Sequence, residues 1–333
     1  MVPEKEIRKL FNRFNKLKVV VVGDCMVDKY VYGNVDRISP EAPVPVLAIN
    51  NTIERSGGAA NVAVNLHALG AVPYLFSVIG TDVEGDTLLR LLKEKKIKTN
   101  FIFRSQDRIT TSKTRIISKN HQMMRIDHEM TENISAVTEK KVLRSLTSFL
   151  KKEKPDVLIF EDYDKGMLSG NFIMAVTEVC NINKIPIAVD PKKKNFFAYQ
   201  NCTLFKPNLR EIKESLNINI DAGDVGSLNF AADILQKQLK NNSTMITLGE
   251  QGIFIKTGKK FFKKDAYLRN VADVSGAGDT VISIAALCLA INADPQLTAG
   301  IANIAGGLVC ESSGVVPVDK KQLLQECLEL LGK

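Results

Sequence analysis

The chain alternates short apolar runs with longer segments in which apolar residues recur at helical spacing. The apolar runs have the length and composition of strands that are buried on both faces of a parallel sheet, and they cover residues 19–22, 157–160, 187–189 and 245–248. The amphipathic segments predict helices at residues 61–69, 86–95, 139–151, 169–180, 230–239 and 278–290. This alternation predicts an α/β fold with a doubly wound, mostly parallel sheet.

Two segments, at about residues 30–50 and 100–126, break this rhythm. Each contains short β-prone stretches with no helix between them, as at 44–49 and 114–117. They predict a small antiparallel sheet inserted into the main fold. Ligands of open α/β proteins bind beyond the carboxyl ends of the strands, so a β insertion that emerges there would cover the ligand as a lid.

Composition narrows the class of protein. The 333 residues are 45% apolar and 25% charged, as in ordinary folded proteins. The net charge of +8 favours acidic ligands such as nucleotides and sugar phosphates, although it would equally suit nucleic acid or an anionic membrane. No basic run is interleaved with aromatic residues, and the longest apolar stretch, near 281–291, is too short to span a bilayer. Neither nucleic acid nor membrane is therefore expected as a partner.

Six widely spaced cysteines contain no C-x-x-C pair, and the first twenty residues do not resemble a secretory leader. These features predict reduced core thiols and a cytoplasmic protein.

The strongest local motif is Gly276-Ala277-Gly278-Asp279, which precedes an apolar helical run. The glycines allow the backbone to approach a ligand closely, and the amino end of the following helix attracts an anion. A carboxylate in the first helical turn could take a proton from a hydroxyl while the amides hold a phosphoryl group. The alternative, with Asp279 as a helix N-cap, has comparable weight on this motif alone.

Two further motifs follow the first strands. Asp28 comes shortly after the first buried strand and could bind two sugar hydroxyls, because an ionised carboxylate accepts several hydrogen bonds. Gly57 and Gly58 open a helix that carries Asn61 on its first turn, where a polar ligand could pack. Turn capping and a tight turn remain the alternatives for these residues.

The last two motifs lie in the second half of the chain. Asn208 and Glu211 stand three residues apart at a helix start and could hold magnesium directly or through water, although a capping box is favoured for this motif alone. Thr247, Gly249 and Gly252 form a strand-to-hairpin turn that could run close to a nucleotide.

Several other site types lack support. The spacing of a P-loop is absent, and no G-x-G-x-x-G follows the first strand. There is no G-x-S-x-G, and none of the three histidines has metal-ligand spacing.

Taken in chain order, the five motifs resemble the ribokinase-like (PfkB) carbohydrate kinases over nearly the whole chain. The resemblance implies a Rossmann-like core with a β-sheet lid, forming one kinase domain over residues 1–333. It further implies phosphoryl transfer from ATP with magnesium, and homodimers that associate through the lid.

A narrower resemblance is to the D-glycero-β-D-manno-heptose-7-phosphate kinases of lipopolysaccharide core synthesis. It rests on the lid segment 37–46 and on the glycines that precede Asn61. Further matches occur at Lys113, Thr114 and Arg115, at Asn120 with Gln122, at Arg125 with Asp127, and in segments 162–166 and 190–192.

Carried over residue by residue, the resemblance makes Asp279 the catalytic base, with an anion hole formed by Gly276, Ala277 and Gly278. It assigns to the ATP side Asn208, Leu209, Arg210, Glu211, Thr247, Gly249, Gly252 and Asn303, with Asn208 and Glu211 also serving as magnesium ligands. It assigns to the acceptor side Asp28, Gly57, Gly58, Asn61 and Asp162. The cationic candidates for the substrate phosphate are Arg37, Lys113, Arg115, Arg125 and Lys192, and the choice among them stays open.

The expected reaction is transfer of the γ-phosphoryl group of ATP to the anomeric hydroxyl of heptose 7-phosphate, giving the 1,7-bisphosphate. The alternatives are a kinase of the same fold acting on another sugar or sugar phosphate, a non-catalytic nucleotide- or sugar-binding regulator, and a basic nucleic-acid-binding protein. In many heptose kinases a nucleotidyltransferase domain follows, but this sequence ends at Lys333. The expectation is therefore a kinase domain alone, with adenylyl transfer carried out by another protein.

Overall fold

The computed structural model describes residues 2–119 and 121–333. Its strands are β1 (Lys18–Gly23), β2 (Cys25–Ile38), β3 (Pro45–Gly58), β4 (Val72–Gly80), β5 (Ile102–Ser105), β6 (Thr111–Ser118), β7 (His121–His128), β8 (Val157–Glu161), β9 (Ile187–Asp190), β10 (Leu204–Phe205), β11 (Ser243–Thr247), β12 (Ile253–Thr257) and β13 (Lys260–Lys264). Its helices are α1 (Glu4–Arg13), α2 (Ala59–Ala68), α3 (Val83–Glu94), α4 (Ala136–Glu153), α5 (Gly170–Ile182), α6 (Leu209–Leu216), α7 (Val225–Leu239), α8 (Ala277–Ala290), α9 (Pro295–Cys310) and α10 (Lys320–Leu331).

Nine strands form the main sheet in the order β13-β12-β11-β10-β9-β8-β1-β4-β5. The pairings from β11 through to β5 are parallel, whereas β12 and β13 add an antiparallel edge. Side chains of β1 alternate between two cores: Val19 and Val21 pack on one face of the sheet, and Val20 and Val22 pack on the other. This two-sided burial explains the continuous apolar runs and confirms the predicted mostly parallel α/β fold.

Helices cover both faces of the sheet. Residues of α1, α2, α3, α8, α9 and α10 build one core, and residues of α4, α5, α6 and α7 build the other. Several helices begin earlier than the apolar spacing predicts because a polar cap sets their start. The Ser135 side chain accepts a hydrogen bond at the start of α4, and Asp224 does so for α7.

A second sheet has the order β3-β2-β6-β7 and forms the lid. The prediction of an antiparallel insertion is wrong for its central pair, because β2 and β6 run parallel. Both strands follow parallel strands of the main sheet, β2 after β1 and β6 after β5, so both leave its carboxyl edge in the same direction. The predicted segment 100–126 also contains β5, which belongs to the edge of the main sheet.

The connections place the lid over the carboxyl ends of the main strands. One residue, Asp24, separates β1 from β2, and β3 runs directly into α2. The amino end of α8 lies against this corner, since α8 packs on α2 and contacts β8 and β9. Among the described residues, no helix has both the length and the apolar character needed to cross a membrane.

Candidate active site

Asp279 lies in the first turn of α8 and is almost fully buried. Its carboxylate accepts one hydrogen bond from Asn61 Nδ2 at 2.7 Å and another from the Tyr163 hydroxyl at 2.7 Å. The alternative that Asp279 is the N-cap of the helix is wrong, because Gly276 occupies that position. The carboxylate is instead fixed by side chains from α2 and from the loop after β8.

Burial raises the pKa of Asp279 to about 6, and the two hydrogen bonds from Asn61 and Tyr163 oppose that rise. The carboxylate therefore ionises close to neutral pH, where a general base is most useful. It is the deprotonated form that can accept a proton, so a reaction that uses Asp279 as base is lost as the pH falls through about 6.

We expect Tyr163→Phe to move the acidic limb of the kcat/KM profile to higher pH, because the variant loses a hydrogen bond that lowers the pKa of Asp279. The measurement is the pH dependence of initial rates for both proteins. Tyr199→Phe is the matched control, because its hydroxyl donates to a different buried carboxylate, that of Asp162. An unmoved limb in Tyr163→Phe, or a shift to lower pH, would contradict the assignment.

The sequence predicts an anion site at Gly276 to Gly278, and in the structure this segment opens α8. Gly276 has φ of 81°, which favours glycine, and a Cβ there would lie 2.9 Å from Asn61 Nδ2. A Cβ on Gly278 would lie 3.9 Å from Lys206 Nζ. Lys206 is buried and forms an ion pair of 2.7 Å with Asp190. An anion at the amino end of α8 would thus meet an ammonium group as well as the helix dipole.

Asp28 lies on β2, buried at the base of the lid. Its Oδ1 lies 2.5 Å from Arg115 Nη1 on β6. Gly57 lies against the other oxygen, since a Cβ at that position would lie 2.1 Å from Asp28 Oδ2. Gly57 is therefore needed for the observed position of the carboxylate.

Gly58 is the N-cap of α2, with φ of 60°, and a Cβ there would lie 2.4 Å from the carbonyl oxygen of Asp24. The Ala59 amide donates to this same carbonyl at 3.0 Å. The paired glycines thus start a helix whose first turn carries Asn61, as the sequence predicts, and they bring Asn61 onto Asp279.

The carboxylate of Asp162, a predicted substrate ligand, makes its hydrogen bonds to groups other than those around Asp279. It is buried, and its carboxylate accepts hydrogen bonds from Tyr199, Asn195 and the Asp164 amide. None of these bonds reaches the group around Asp279. Burial, followed by the charge of Asp24, raises the pKa of Asp162 to about 7. Its observed contacts are those of a residue that shapes the loop carrying Tyr163.

Asp24 also holds the loop that carries Tyr163. Its carboxylate accepts hydrogen bonds from three backbone amides, those of Tyr163, Lys165 and Met167, at 3.0 to 3.1 Å. Because the Tyr163 hydroxyl reaches Asp279, Asp24 contributes indirectly to the orientation of the base.

A cavity of about 540 Å³ lies between α6 and the turn that follows β11. It brings together most residues predicted for the nucleotide. The lining residues are Asn208, Leu209, Arg210, Lys213, Glu214, Thr247, Leu248 and Gly249. Gly252 closes the turn behind this lining, with φ of 91° and with its amide donating to the Gly249 carbonyl. Asn303 does not line the cavity, and its side chain donates to the Asp265 carbonyl.

Asn208 and Glu211 form a complete capping box at the start of α6. The Asn208 Oδ1 accepts from the Glu211 amide, and Glu211 Oε2 accepts from the Asn208 amide, each at 2.8 Å. Glu211 Oε1 also pairs with Lys192 Nζ at 2.7 Å. Within residues 2–119 and 121–333, no group of three or more His, Cys, Asp or Glu side chains is arranged to hold a metal ion.

These contacts bear on magnesium. The Asn208 and Glu211 oxygens already accept bonds from protein groups, so they fit a hydrated ion better than direct coordination. A carboxylate has further lone pairs that can accept hydrogen bonds from water, and Mg²⁺ commonly keeps several of its waters beside nucleotide phosphates. The predicted pair thus suits an ion that is held mainly by phosphate oxygens.

Three further buried residues beside the base were given no role from the sequence. Lys206 and Asp190 form the ion pair described above, and Glu161 ends β8 fully buried, with neither carboxylate oxygen hydrogen-bonded in the described structure. Burial, then the charges of Asp190 and Asp279, raises the pKa of Glu161 well above its usual range. Position was a signal for both acidic residues, since each ends an apolar strand at the edge where a site is expected, and Asp190 also lies in the matching segment 190–192.

The cationic candidates are spread over the lid and the core. Arg37 is exposed near the far end of β2, and Arg125 on β7 pairs with Asp127. Lys192 pairs with Glu211, and its Nζ lies 5.2 Å from the centre of the Tyr163 ring, while that of Lys113 lies 5.7 Å from the same ring. Asn120, part of the narrower resemblance, lies outside the described residues.

Comparison with known proteins assigns the chain to a family. Residues 16–321 match the pfkB family of carbohydrate kinases. A relative named bifunctional protein HldE from Methylobacillus flagellatus is 39% identical over 308 residues, covering 92% of this chain and 62% of the relative. Another of that name from a Caulobacter species is 38% identical over 319 residues, covering 96% of this chain and 64% of the relative. The chain thus spans less than two thirds of the length of these relatives.

Solved structures show the same fold. Phosphofructokinase-2 from Escherichia coli in complex with fructose-6-phosphate has a TM-score of 0.75 at 16% identity, over 93% of this chain and 99% of the other. Ribokinase from Arabidopsis thaliana complexed with ribose and ATP has a TM-score of 0.72 at 16% identity, over 93% and 99%. These matches confirm the predicted ribokinase-like architecture. The chain belongs to the pfkB family of carbohydrate kinases.

Proposed function

We propose that this kinase transfers the γ-phosphoryl group of ATP to the anomeric hydroxyl of D-glycero-β-D-manno-heptose 7-phosphate, giving the 1,7-bisphosphate in the cytoplasmic synthesis of ADP-heptose for lipopolysaccharide core. The observation that carries the proposal is the buried Asp279 carboxylate, held by Asn61 and Tyr163 at the amino end of α8. The lid motif and the HldE relatives support heptose as the acceptor.

In this proposal Asp279 takes the proton of the acceptor hydroxyl as that oxygen attacks the γ-phosphorus. Phosphoryl transfer depends mainly on positioning and on neutralising charge. The amino end of α8 and the Lys206 ammonium beside Gly278 would stabilise the charge on the transferring phosphoryl group. Asp28 at the base of the lid would orient the acceptor by accepting bonds from its hydroxyls.

ATP would occupy the cavity between α6 and the turn after β11, with the adenosine portion along Leu209 and Gly249. The phosphates would then extend toward Lys206 and the amino end of α8. Magnesium would be held mainly by these phosphates, with Asn208 and Glu211 binding its waters; when bound, it would neutralise phosphate charge.

We further propose that the protein forms a homodimer through its lid. The lid carries exposed apolar side chains, and strand alternation puts two of them, Met124 and Ile126, on the face opposite Arg115 and Arg125. The others are Ile38, Val44, Ile49 and Met123. Exposed apolar groups of this kind are common where a protein surface binds a partner.

We expect Ile126→Glu to convert the dimer to a monomer, because a carboxylate on the buried contact would be desolvated. Sedimentation velocity measures the change. Val137→Glu, at another exposed apolar residue, on α4 outside the lid, is the matched control and should leave the dimer intact. A wild-type protein that is already monomeric at micromolar concentration would contradict the proposed dimer.

The function is tested by a coupled ADP-release assay against a panel of acceptors that includes heptose 7-phosphate, fructose 6-phosphate, ribose and a nucleoside. We expect the largest kcat/KM for heptose 7-phosphate. A strong preference for ribose, fructose 6-phosphate or the nucleoside would overturn the heptose assignment. Absence of turnover with every acceptor would favour a binding protein without catalysis.

A further inference from the structure

A chain of buried hydrogen bonds continues behind the Asp279 carboxylate. Asn61 donates to Asp279 through Nδ2 and accepts, through its own Oδ1, a bond of 3.2 Å from Asn65 Nδ2. Asn65 lies one turn further along α2, and its Oδ1 accepts from the Val318 amide at 3.0 Å. Both asparagines are almost completely buried. The chain therefore links the candidate base to the segment that precedes α10.

The direction of this chain is set at its Val318 end. A backbone amide can only donate, so the Asn65 atom that faces Val318 must be the oxygen. The amide nitrogen of Asn65 then faces Asn61, which must present its oxygen to it. The nitrogen of Asn61 is consequently the atom that meets Asp279. One backbone N–H thus determines which end of the Asn61 amide contacts the base.

The remaining contacts of Asn65 favour the same orientation. Its Oδ1 lies 3.2 Å from the Thr280 hydroxyl, and its Nδ2 also donates to the Asn61 carbonyl at 3.1 Å. Turning the Asn65 amide over would place its nitrogen against the Val318 N–H and its oxygen against the Asn61 carbonyl. Such buried, unsatisfied groups are costly, so the observed orientation is strongly preferred.

The Val318 end of the chain is held by the lid. Val315, three residues earlier, donates through its amide to the Tyr30 hydroxyl at 3.1 Å. Its carbonyl accepts from Arg55 Nη1 at 2.6 Å. Tyr30 lies on β2 and Arg55 on β3, so two lid strands fix the backbone that sets the direction of the chain.

The orientation of Asn61 distinguishes the two protonation states of Asp279. A donated N–H stabilises the carboxylate, whereas a carboxylic acid would be stabilised by an oxygen to which it could donate. The bond from Asn61 accordingly lowers the pKa of Asp279. If the Asn61 amide could turn over, the protonated form would gain an acceptor and the pKa would rise.

The other titratable groups around Asp279 belong to other elements. They are Tyr163 after β8, Glu161 at the end of β8, Asp190 at the end of β9, Lys206 after β10 and Asp28 on β2. The hydrogen bonds of Asn65 go instead to Asn61, Thr280 and Val318. A substitution at Asn65 would therefore reach the titration of Asp279 through Asn61.

We propose that Asn65 is a positioning residue that fixes the orientation of the Asn61 amide, so that Asp279 always faces an N–H and never an oxygen. This inference rests on the part of the proposed function that makes Asp279 the base. It does not depend on which sugar is phosphorylated.

The test is the pH dependence of kcat/KM for Asn65→Leu, measured with ATP and the best acceptor of the panel. Leucine keeps the branch at Cγ but makes no hydrogen bond, so the Asn61 amide can turn over. Since only the deprotonated base is active, a raised pKa of Asp279 should move the acidic limb to higher pH, by about 0.5 to 1 unit for one hydrogen bond. The substrates ionise alike in every assay, so a difference between variants reports on the protein.

Asn241→Leu is the matched control, at a buried asparagine at the amino end of β11. Its Nδ2 donates to the Ser243 carbonyl and to the Thr244 hydroxyl, so the variant also loses two buried bonds. It should melt at a lower temperature and keep the wild-type limb. If Asn65→Leu does not fold, Asn65→Ala removes the same bonds without added bulk and is read in the same assay.

A double variant tests whether the effect passes through Asn61. Asn61→Ala removes the donor itself and should also move the limb to higher pH. Adding Asn65→Leu to it should move the limb no further, because the two residues act on Asp279 by one route. A further shift as large as that of Asn65→Leu alone would overturn the proposed role.

The remaining outcomes separate this inference from the function on which it rests. If Tyr163→Phe moves the limb and Asn65→Leu does not, Asn65 has no positioning role and the function stands. If neither variant moves the limb, the assignment of the base fails and this inference fails with it. If the best acceptor is another sugar and Asn65→Leu moves the limb as expected, the role of Asn65 is supported while heptose is rejected.

Discussion

Asp279→Asn is expected to lower kcat by about 10² to 10⁴-fold, the usual cost of removing a general base. The amide has the shape of the carboxylate but cannot accept the proton of the acceptor hydroxyl. It can still accept from Asn61 Nδ2 and donate to the Tyr163 oxygen, so the start of α8 should be preserved. The loss should therefore appear in kcat, with nucleotide binding largely unchanged.

Calorimetric titration with a non-hydrolysable ATP analogue, together with steady-state rates, separates these effects. Asp294→Asn is the matched control, because Asp294 caps α9 away from the site. Retention of more than about a tenth of the wild-type kcat by Asp279→Asn would show that Asp279 has a structural role, and the assignment of the base would fall.

Asp28→Ala is expected to raise KM for the acceptor at least about tenfold, with much less effect on KM for ATP. The carboxylate lies at the base of the lid against Arg115, where it could accept two hydrogen bonds from acceptor hydroxyls. Charge-assisted bonds contribute about 1.5 to 3 kcal/mol each, of which water recovers a part. The alanine also leaves Arg115 without its partner, so the melting temperature must be measured alongside.

Gly57→Ala provides a second route to the same result. Its Cβ would lie 2.1 Å from Asp28 Oδ2, so the carboxylate must move although its charge remains. A raised acceptor KM in both variants would link the effect to the position of the Asp28 carboxylate. If Asp28→Ala melts several degrees lower but keeps its acceptor KM, Asp28 only stabilises the lid through Arg115, and the acceptor must be sought nearer Asn61.

The architecture could be predicted largely from periodicity. Strands such as β1 are buried on both faces, so their residues form unbroken apolar runs that stand out in the sequence. Helix starts were less accurate because they depend on caps, as at Ser135 and Asp224, which precede the apolar spacing. The prediction of an antiparallel lid was wrong for β2 and β6 because the direction of a strand depends on where it leaves the main sheet. Local sequence does not record that position.

The candidate site was predictable where it depends on backbone shape. Gly57, Gly58 and Gly276 occupy positions where a side chain would collide with the structure, and such positions appear in sequence as glycine motifs. Tyr163 was missed because its orientation depends on Asp24, which is 139 residues away. The capping box at Asn208 fits two explanations, because a helix start and a nucleotide contact use the same residue types. The sequence motif therefore does not separate them.

The ion pairs of the lid required the structure. Arg115, Arg125 and Lys113 look alike in sequence, and only the side-chain contacts show that Arg115 meets Asp28 and that Arg125 meets Asp127. For Asp162, the sequence predicts a substrate ligand, but the contacts in the structure are internal. It follows a buried strand next to Tyr163, yet its carboxylate is used by Tyr199 and Asn195 inside the protein.

The most direct test of the account is phosphorus NMR of the product formed by the purified protein from ATP and D-glycero-β-D-manno-heptose 7-phosphate. Phosphorylation at the anomeric hydroxyl predicts a second sugar phosphate resonance that couples to the anomeric proton, in addition to the retained 7-phosphate signal. A new phosphate coupled to any other sugar proton, or ADP release without a new sugar phosphate, would contradict the account.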